Sequence, residues 1–284
     1  MIKAIVTDVD GVLVGDKLGI NFPIPNEKVL RRLSDLNKKG MLVILCTGKF
    51  GFSIQEIIKK TGLSNPHISD GGAVIFNPKN NNFSKKHLLA RDLATQLIKQ
   101  LVRKNIYLEC YGIDDYFIQS NQRDLLTEKR VAILQKEHIA VTSLSEHVID
   151  FDLIKIVALF DNDTDKKKIE AVLEEFKEDI NYMWSGHPAM SPFESAVITK
   201  KGASKGQAVA DVLTHLGIDF SETLGIGDTL GDWHFMQHCQ YVGTVGNISP
   251  ELQSRAKTKG EGKYFIGKSV DEDAFLDIVT YFIR

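Results

Sequence analysis

A short apolar run, Ile2 to Thr7, stops abruptly at Asp8, and near the far end of the chain a second, Thr223 to Ile226, stops at Gly227-Asp228. Runs this short, rich in β-branched residues and without polar alternation, read as strands buried on both faces. Helical patterns lie between and after them. Pro25 and Asn26 open a helix whose Val29, Leu30, Leu33 and Leu36 share one face, and Gly40 closes it. Met41 to Cys46 is a second buried strand, Ile54 to Lys60 a short helix and Ala73 to Phe76 another strand. The pattern resumes at Lys205, where Val209, Val212, Leu213 and Leu216 mark a helix closed by Gly217. After Thr223 to Ile226 come a further helix and the strand Tyr241 to Val245. Strand and helix in alternation predict an α/β fold with a parallel sheet and helical crossovers.

The character changes in between. Pro78 to Asn82 is polar and turn-forming and reads as a linker. Leu89, Leu93, Leu97 and Leu101 form an i, i+4 stripe, which predicts an amphipathic helix over Leu88 to Lys104. Strands are expected at Ile106 to Tyr111, Tyr116 to Ser120, Lys155 to Phe160, Ile180 to Trp184 and Ser195 to Thr199. Ile169, Val172, Leu173 and Phe176 mark a helix before the last two. This stretch reads as a separate α+β unit inserted between the halves of the first domain. The expected division is a discontinuous core of residues 1–80 and 192–284 with an insertion over 81–191.

Composition narrows the class. Over 284 residues, hydrophobic content is 43% and charged content 25%, ordinary for a globular chain. The net charge of -2 gives no basic excess for a nucleic-acid surface, so no nucleic-acid partner is expected. Cys46, Cys110 and Cys239 are far apart and form no CxxC pair, which argues against disulfides and zinc and fits a reducing compartment. Asp8 and Asp10 interrupt the apolar run that a secretory signal needs, and Met41 to Cys46 is far too short to span a bilayer. A cytoplasmic protein with no membrane partner is expected.

Chemistry gathers where strands run out. Asp8 and Asp10 follow the first strand, Thr47 the second, and Asp228 and Asp232 the strand Thr223 to Ile226. In open parallel sheets, ligand sites lie at the carboxyl ends of strands, so these groups are expected to converge. Converging carboxylates repel one another. A bound divalent cation relieves that, and an all-oxygen ligand set suits Mg2+. A carboxylate can attack phosphorus to give an acyl-phosphate that water hydrolyses, provided that a cation and a lysine neutralise the anionic substrate. Asp10, two residues on, is placed to give and take the protons.

These segments resemble the motifs of the haloacid dehalogenase superfamily of phosphatases: Asp8-Val9-Asp10-Gly11-Val12-Leu13, Thr47-Gly48-Lys49, Lys205-Gly206 and Gly227-Asp228-Thr229-Leu230-Gly231-Asp232, in that order. The resemblance covers essentially the whole chain and points to the Cof-type sugar-phosphatase branch. It implies a Rossmann-like parallel-sheet core with an inserted, mobile α+β cap, and an Mg2+-dependent phosphatase acting on a small phosphorylated metabolite. It also implies roles: Asp8 as nucleophile, Asp10 as general acid/base, and Thr47, Gly48 and Lys205 as phosphate contacts. The metal would take Asp8, the Asp10 main-chain carbonyl and Asp228, with Asp232 behind them or orienting Lys205. Two departures bear on substrate preference. Lys49 stands where this branch often has Arg, which removes a planar two-pronged donor, and Gly231 stands where Asn is usual. Ser69-Asp70-Gly71-Gly72-Ala73 also departs slightly from the Asn-Gly-Ala common at that point.

Each motif alone has a plainer reading. Asp-x-Asp-Gly can be a turn, Thr47 a helix cap and Lys205 a solvated first-turn lysine; the ordered set is what gives them weight. Lys201 to Gly206 lacks the spacing of a nucleotide phosphate loop. Lys49 and His187 are possible substrate contacts, although an ordinary loop histidine is the simpler reading of His187. Trp184 and Trp233 read as packing residues, and Cys46 as a small buried hydrophobe. A phosphomutase using the same aspartyl-phosphate and a non-catalytic phosphometabolite-binding protein stay open as alternatives. The sequence names neither the substrate nor the oligomeric state.

Overall fold

The computed structural model describes residues 1–79, 82–122, 125–186 and 190–283. It separates into two compact units, Met1–Lys85 with Ser204–Arg284, and Lys86–Ala203.

The first unit opens with β1 (Ala4–Thr7), buried at every position. Helix α1 (Glu27–Lys38) is capped by Asn26, whose side chain accepts from the Lys28 and Val29 amides, and it buries Val29, Leu30, Leu33 and Leu36. Next come β2 (Leu42–Leu45) and α2 (Gln55–Thr61), followed by the short strands β3 (His67–Ser69), β4 (Val74–Asn77) and β5 (Asn82–Lys86).

The inserted unit begins with α3 (Arg91–Arg103), β6 (Tyr107–Tyr111), β7 (Tyr116–Gln119), α4 (Leu125–Leu134), β8 (Ile139–Val141) and α5 (Leu144–His147). It continues through β9 (Lys155–Phe160), α6 (Asp163–Glu175), β10 (Ile180–Gly186) and β11 (Glu194–Lys200). The chain then returns to the first unit with α7 (Lys205–Leu216), β12 (Thr223–Gly227), α8 (Leu230–Met236), β13 (Tyr241–Thr244), α9 (Pro250–Lys257), β14 (Tyr264–Ile266) and α10 (Ala274–Phe282).

Among the described residues, the first unit is built on a parallel sheet in the order β14-β13-β12-β1-β2. One face packs Ala4, Val6, Ile44 and Val242 against Val209, Val212, Phe235 and Met236 of α7 and α8. Helices α1 and α10 lie on the other face. The chain runs outward one way from β1 to β2 and the other way from β12 to β14. The order therefore reverses at β1 and β12, and a crevice opens beyond their carboxyl ends. The inserted unit carries a mixed sheet in the order β10-β11-β9-β6-β7-β8. Its apolar core joins Leu97, Ile98 and Leu101 of α3 with Leu108, Ile156, Ala158, Ile169, Leu173 and Ile198.

The α/β architecture expected from the sequence is present, with two corrections. The strand at Ser195 to Thr199 was expected beyond a boundary at residue 192. It is β11, paired antiparallel with both β10 and β9, and its Ala196 and Ile198 are buried in the inserted unit's core, so that unit extends to Ala203. The linker expected over Pro78 to Asn82 leads into β5, which joins β3 and β4 in a third small sheet. Several elements carry too weak a pattern to be read in advance. Strand β3 has only three residues, and α4 buries just Leu126 and Thr127 among its described side chains. Among the described residues, no helix is long and apolar enough to cross a membrane.

Candidate active site

The carboxyl ends of β1, β2 and β12 bring the sequence-predicted groups together. The Asp8 amide donates to the Ile226 carbonyl at 2.9 Å, and the Cys46 amide to that of Thr7, also at 2.9 Å. This extends the ladder one residue past each strand and sets Asp8, Thr47 and Asp228 side by side. Gly11 follows at φ +73, and a Cβ there would lie 2.0 Å from Asp228 Oδ2. Only glycine gives both that backbone and that approach, so the Asp8–Gly11 turn closes directly against Asp228.

Asp8, Asp228 and Asp232 each present a carboxylate oxygen within 4.8 Å of the others. Asp8 is nearly buried; its Oδ1 accepts from the Val9 amide at 2.7 Å and its Oδ2 lies 3.0 Å from Lys205 Nζ. Lys205, the first residue of α7, reaches between two carboxylates, with Asp232 Oδ1 at 2.6 Å. Asp232 is fully buried, and its Oδ2 accepts from Thr229 Oγ1 at 2.7 Å and from the amides of Thr229 and Asp228 at 3.0 and 3.2 Å. Asp232 therefore has its lone pairs engaged, whereas Asp228 Oδ1 is buried with no hydrogen-bond partner.

The electrostatics follow from this crowding. Burial, then the neighbouring Asp232 charge, pushes the Asp8 carboxyl well above the carboxylate range, against the pull of Lys205. Burial and Asp232 likewise raise Asp228 to about 7. Burial also acts against ionisation of Asp232, but the charge and hydrogen bond of Lys205 and the donors of Thr229 outweigh it and hold this carboxyl low. Burial favours neutral Lys205, yet Asp232 and Asp8 outweigh it and hold the ammonium firmly protonated. One lysine thus faces a group of carboxylates that repel one another, and one of their oxygens is orphaned. That is the donor set and charge deficit that a hard divalent cation satisfies, and the residues present fit Mg2+.

Thr47 is buried; its Oγ1 accepts from the Lys49 amide at 3.1 Å and its amide donates to the Ile68 carbonyl at 3.0 Å. Gly48, between them, is open on its side-chain side. Asp10 is 41% exposed in its side chain, and its Oδ1 lies 2.9 Å from Lys49 Nζ. Lys49, expected as a substrate contact, is thus ion-paired to Asp10, and its ammonium lies 5.7 Å from the Phe22 ring centre. His187 lies outside the described residues. The reading from sequence missed the pairing of Lys49 with Asp10; the opposite charges of two segments carried no sign that they meet.

The sequence profile of the haloacid dehalogenase-like hydrolases matches residues 5–277. The Bacillus subtilis phosphatase YwpJ is 26% identical over 281 residues, covering 89% of this chain and 93% of the relative. A phosphoglycolate phosphatase of Staphylothermus marinus is 22% identical over 261 residues, covering 90% of each. Among solved structures, TM0651 of Thermotoga maritima superposes with a TM-score of 0.82 at 17% identity, covering 100% of this chain and 98% of that one. The HAD subclass IIB sugar phosphatase BT4131 gives a TM-score of 0.77 at 18% identity, covering 99% and 98%. At these identities the superpositions speak to the fold, while the profile spans nearly the entire sequence. The chain belongs to the haloacid dehalogenase-like hydrolase family.

Proposed function

We infer that this hydrolase is an Mg2+-dependent phosphatase that cleaves a small phosphorylated metabolite through an aspartyl-phosphate on Asp8. The observation that carries the reading is the Asp8 carboxylate, 3.0 Å from a lysine that Asp232 holds in place, beside the orphaned oxygen of Asp228.

In this reading a carboxylate oxygen of Asp8 forms a bond to phosphorus as the ester oxygen leaves. The carboxyl of Asp10 protonates the departing alcohol. Water then attacks the acyl-phosphate, Asp10 takes its proton, and the bond from Asp8 to phosphorus breaks to release inorganic phosphate. Lys205 and the Thr47–Gly48 segment bear the phosphoryl oxygens. Asp232 does not react; it fixes the Lys205 ammonium against Asp8 and keeps it charged. Asp8, the Asp10 main-chain carbonyl and Asp228 are the groups that would hold Mg2+, which supplies the positive charge that lets an anionic carboxylate approach an anionic phosphoryl group. Lys49 orients the Asp10 carboxylate rather than the substrate.

The inserted unit is assigned the part of a cap that chooses the leaving group, a part that rests on the family resemblance. The sugar-phosphate class has the same footing, supported by BT4131 being a sugar phosphatase. A cytoplasmic location is supported by the three free, buried cysteines.

The test is phosphate release from a panel of sugar phosphates, phosphoglycolate, nucleotides and an aryl phosphate, with and without Mg2+, for the native chain and Asp8→Asn. Release that requires Mg2+ and vanishes in Asp8→Asn supports the reading. An isomerised phosphosugar without free phosphate identifies a mutase instead. Binding without turnover identifies a sensor.

A further inference from the structure

We propose that the turn Asp70–Gly72 is a positioning element for the phosphoryl-handling groups, in which Gly72 sets the seat of Lys205; the proposal rests on the phosphatase reading above.

Three consecutive residues here take left-handed backbone: Asp70 at φ 53, Gly71 at φ 67 and Gly72 at φ 101. Gly71 and Gly72 adopt this region freely, but Asp70 does so at a cost, so its conformation persists only where its surroundings over-determine it. Those surroundings are the two loops of the candidate site. On one side, the Asp70 amide donates to the Lys49 carbonyl at 2.8 Å and the Gly71 amide to the Thr47 carbonyl at 3.0 Å. The turn therefore brackets the Thr47–Lys49 segment from below. The Ser69 hydroxyl donates to Asp70 Oδ2 at 2.8 Å and the Ala73 amide to the Asp70 carbonyl at 3.2 Å, which hold the turn's own shape.

On the other side stands the start of α7. A Cβ on Gly72 would lie 2.3 Å from both the carbonyl carbon and oxygen of Ser204, and 2.7 Å from the Lys205 nitrogen. Ser204 is the helix cap: its hydroxyl accepts from the Gln207 amide, and its carbonyl accepts the first helical bond, from Ala208, at 3.0 Å. The first peptide plane of α7 thus rests on the bare Cα of Gly72. The obstructing atoms are main chain, so no side chain can swing aside to admit a methyl group. Either the turn or the helix start must move by roughly 1 Å, because packed interiors have no slack to absorb it. Lys205 is the first residue of that helix, and its ammonium reaches Asp8 at 3.0 Å. One three-residue turn therefore fixes Thr47 through hydrogen bonds and Lys205 through contact.

The experiment compares the native chain with Gly72→Ala, Gly217→Ala and Asp8→Asn, assayed with an aryl phosphate and Mg2+ and melted thermally. Gly217 is the control: it ends the same helix at φ +67 with nothing within 4 Å of an added Cβ, so alanine there has the backbone cost without the clash. Gly72→Ala is expected to lower kcat by about 100-fold, the usual effect of misplacing a catalytic group by roughly 1 Å. KM should change far less, because Lys205 matters most when charge moves in the transition state. Gly217→Ala should lower Tm less, by its backbone cost alone, and leave kcat intact. Folded Gly72→Ala with native kcat, or an equal loss in both glycine variants, overturns the proposal. Where Gly72→Ala does not fold, the Asp70 pair decides: Asp70→Asn, which tolerates left-handed backbone, should keep about tenfold more kcat than Asp70→Ala. Equal rates in that pair overturn the proposal too. No release by the native chain overturns the phosphatase reading and the proposal with it, whereas native turnover with an active Gly72→Ala overturns the positioning role alone.

Discussion

Lys205 Nζ and Asp232 Oδ1 form a buried ion pair at 2.6 Å, and the same ammonium lies 3.0 Å from Asp8 Oδ2. Removing one partner of a buried pair leaves an uncompensated charge. Asp232→Asn should therefore destabilise the chain toward the lower end of about 3–5 kcal/mol, since Asp8 remains beside Lys205. Denaturant unfolding monitored by circular dichroism measures this, and kcat should fall together with stability. A stable, fully active Asp232→Asn would show that Lys205 does not depend on Asp232.

Asp8→Asn should abolish turnover yet raise the Tm of the metal-free chain. Asp8 sits buried among carboxylates that oppose its ionisation, so an uncharged side chain of the same shape relieves repulsion. A gain of about 1 kcal/mol would appear as a shift of about 2–4 °C in a scan run in chelator. A lower Tm would mean that the Asp8–Lys205 contact outweighs the repulsion.

The Asp228 carboxyl is raised by burial and by Asp232 to about 7. Its unfolded counterpart titrates near 3.9. The folded chain therefore holds a proton that the unfolded chain has lost, and metal-free stability falls as pH rises from about 4 to about 7. A cation bound by Asp228 competes with that proton. The Tm increase on adding Mg2+ should thus be larger at pH 8 than at pH 5.5. An increase independent of pH would place the cation elsewhere.

His67 works in the opposite direction. Its Nδ1 accepts from the Leu45 amide at 3.2 Å, its Nε2 is buried without a partner, and burial lowers its pKa to about 3. The unfolded chain takes up that proton near pH 6.5, so the stability tied to neutral His67 is complete above that pH. It is lost progressively from there down to about 3, by about 1.4 kcal/mol per pH unit. The difference in unfolding free energy between the native chain and His67→Gln, followed from pH 7 to pH 4, should shrink with this slope. A constant difference would mean that His67 is already charged in the fold.

Lys49 holds Asp10 at 2.9 Å. Lys49→Met should lower kcat by about 10-fold, a part of the roughly 100- to 10,000-fold that a positioned acid/base contributes, with little change in KM, and Lys49→Arg should restore most of the loss. A rise in KM alone would assign Lys49 to substrate binding instead.

Much of the candidate site was legible because Asp8, Thr47 and Asp228 follow strands and Lys205 starts a helix. Asp8, Thr47 and Asp228 follow apolar runs, and parallel topology brings such ends together whatever their separation in sequence. The pairings inside the site were not legible. Nothing local to Lys49 announces Asp10, and Gly72 differs from other loop glycines only in what it touches, the Ser204–Lys205 main chain. The end of the insertion was misplaced for a similar reason. Strand β11 alternates as a core strand would, and only its partners β9 and β10 assign it to the inserted unit.

In the proposed mechanism, phosphorus bonds covalently to Asp8. Enzyme mixed with substrate and Mg2+ would be quenched in acid within the first turnovers, treated with borohydride to reduce any acyl-phosphate, and mapped by peptide mass spectrometry. Homoserine is expected at position 8, at a higher level in Asp10→Asn, where hydrolysis of the intermediate lacks its base. Steady phosphate release with unmodified Asp8 at every quench time, in both proteins, would contradict it.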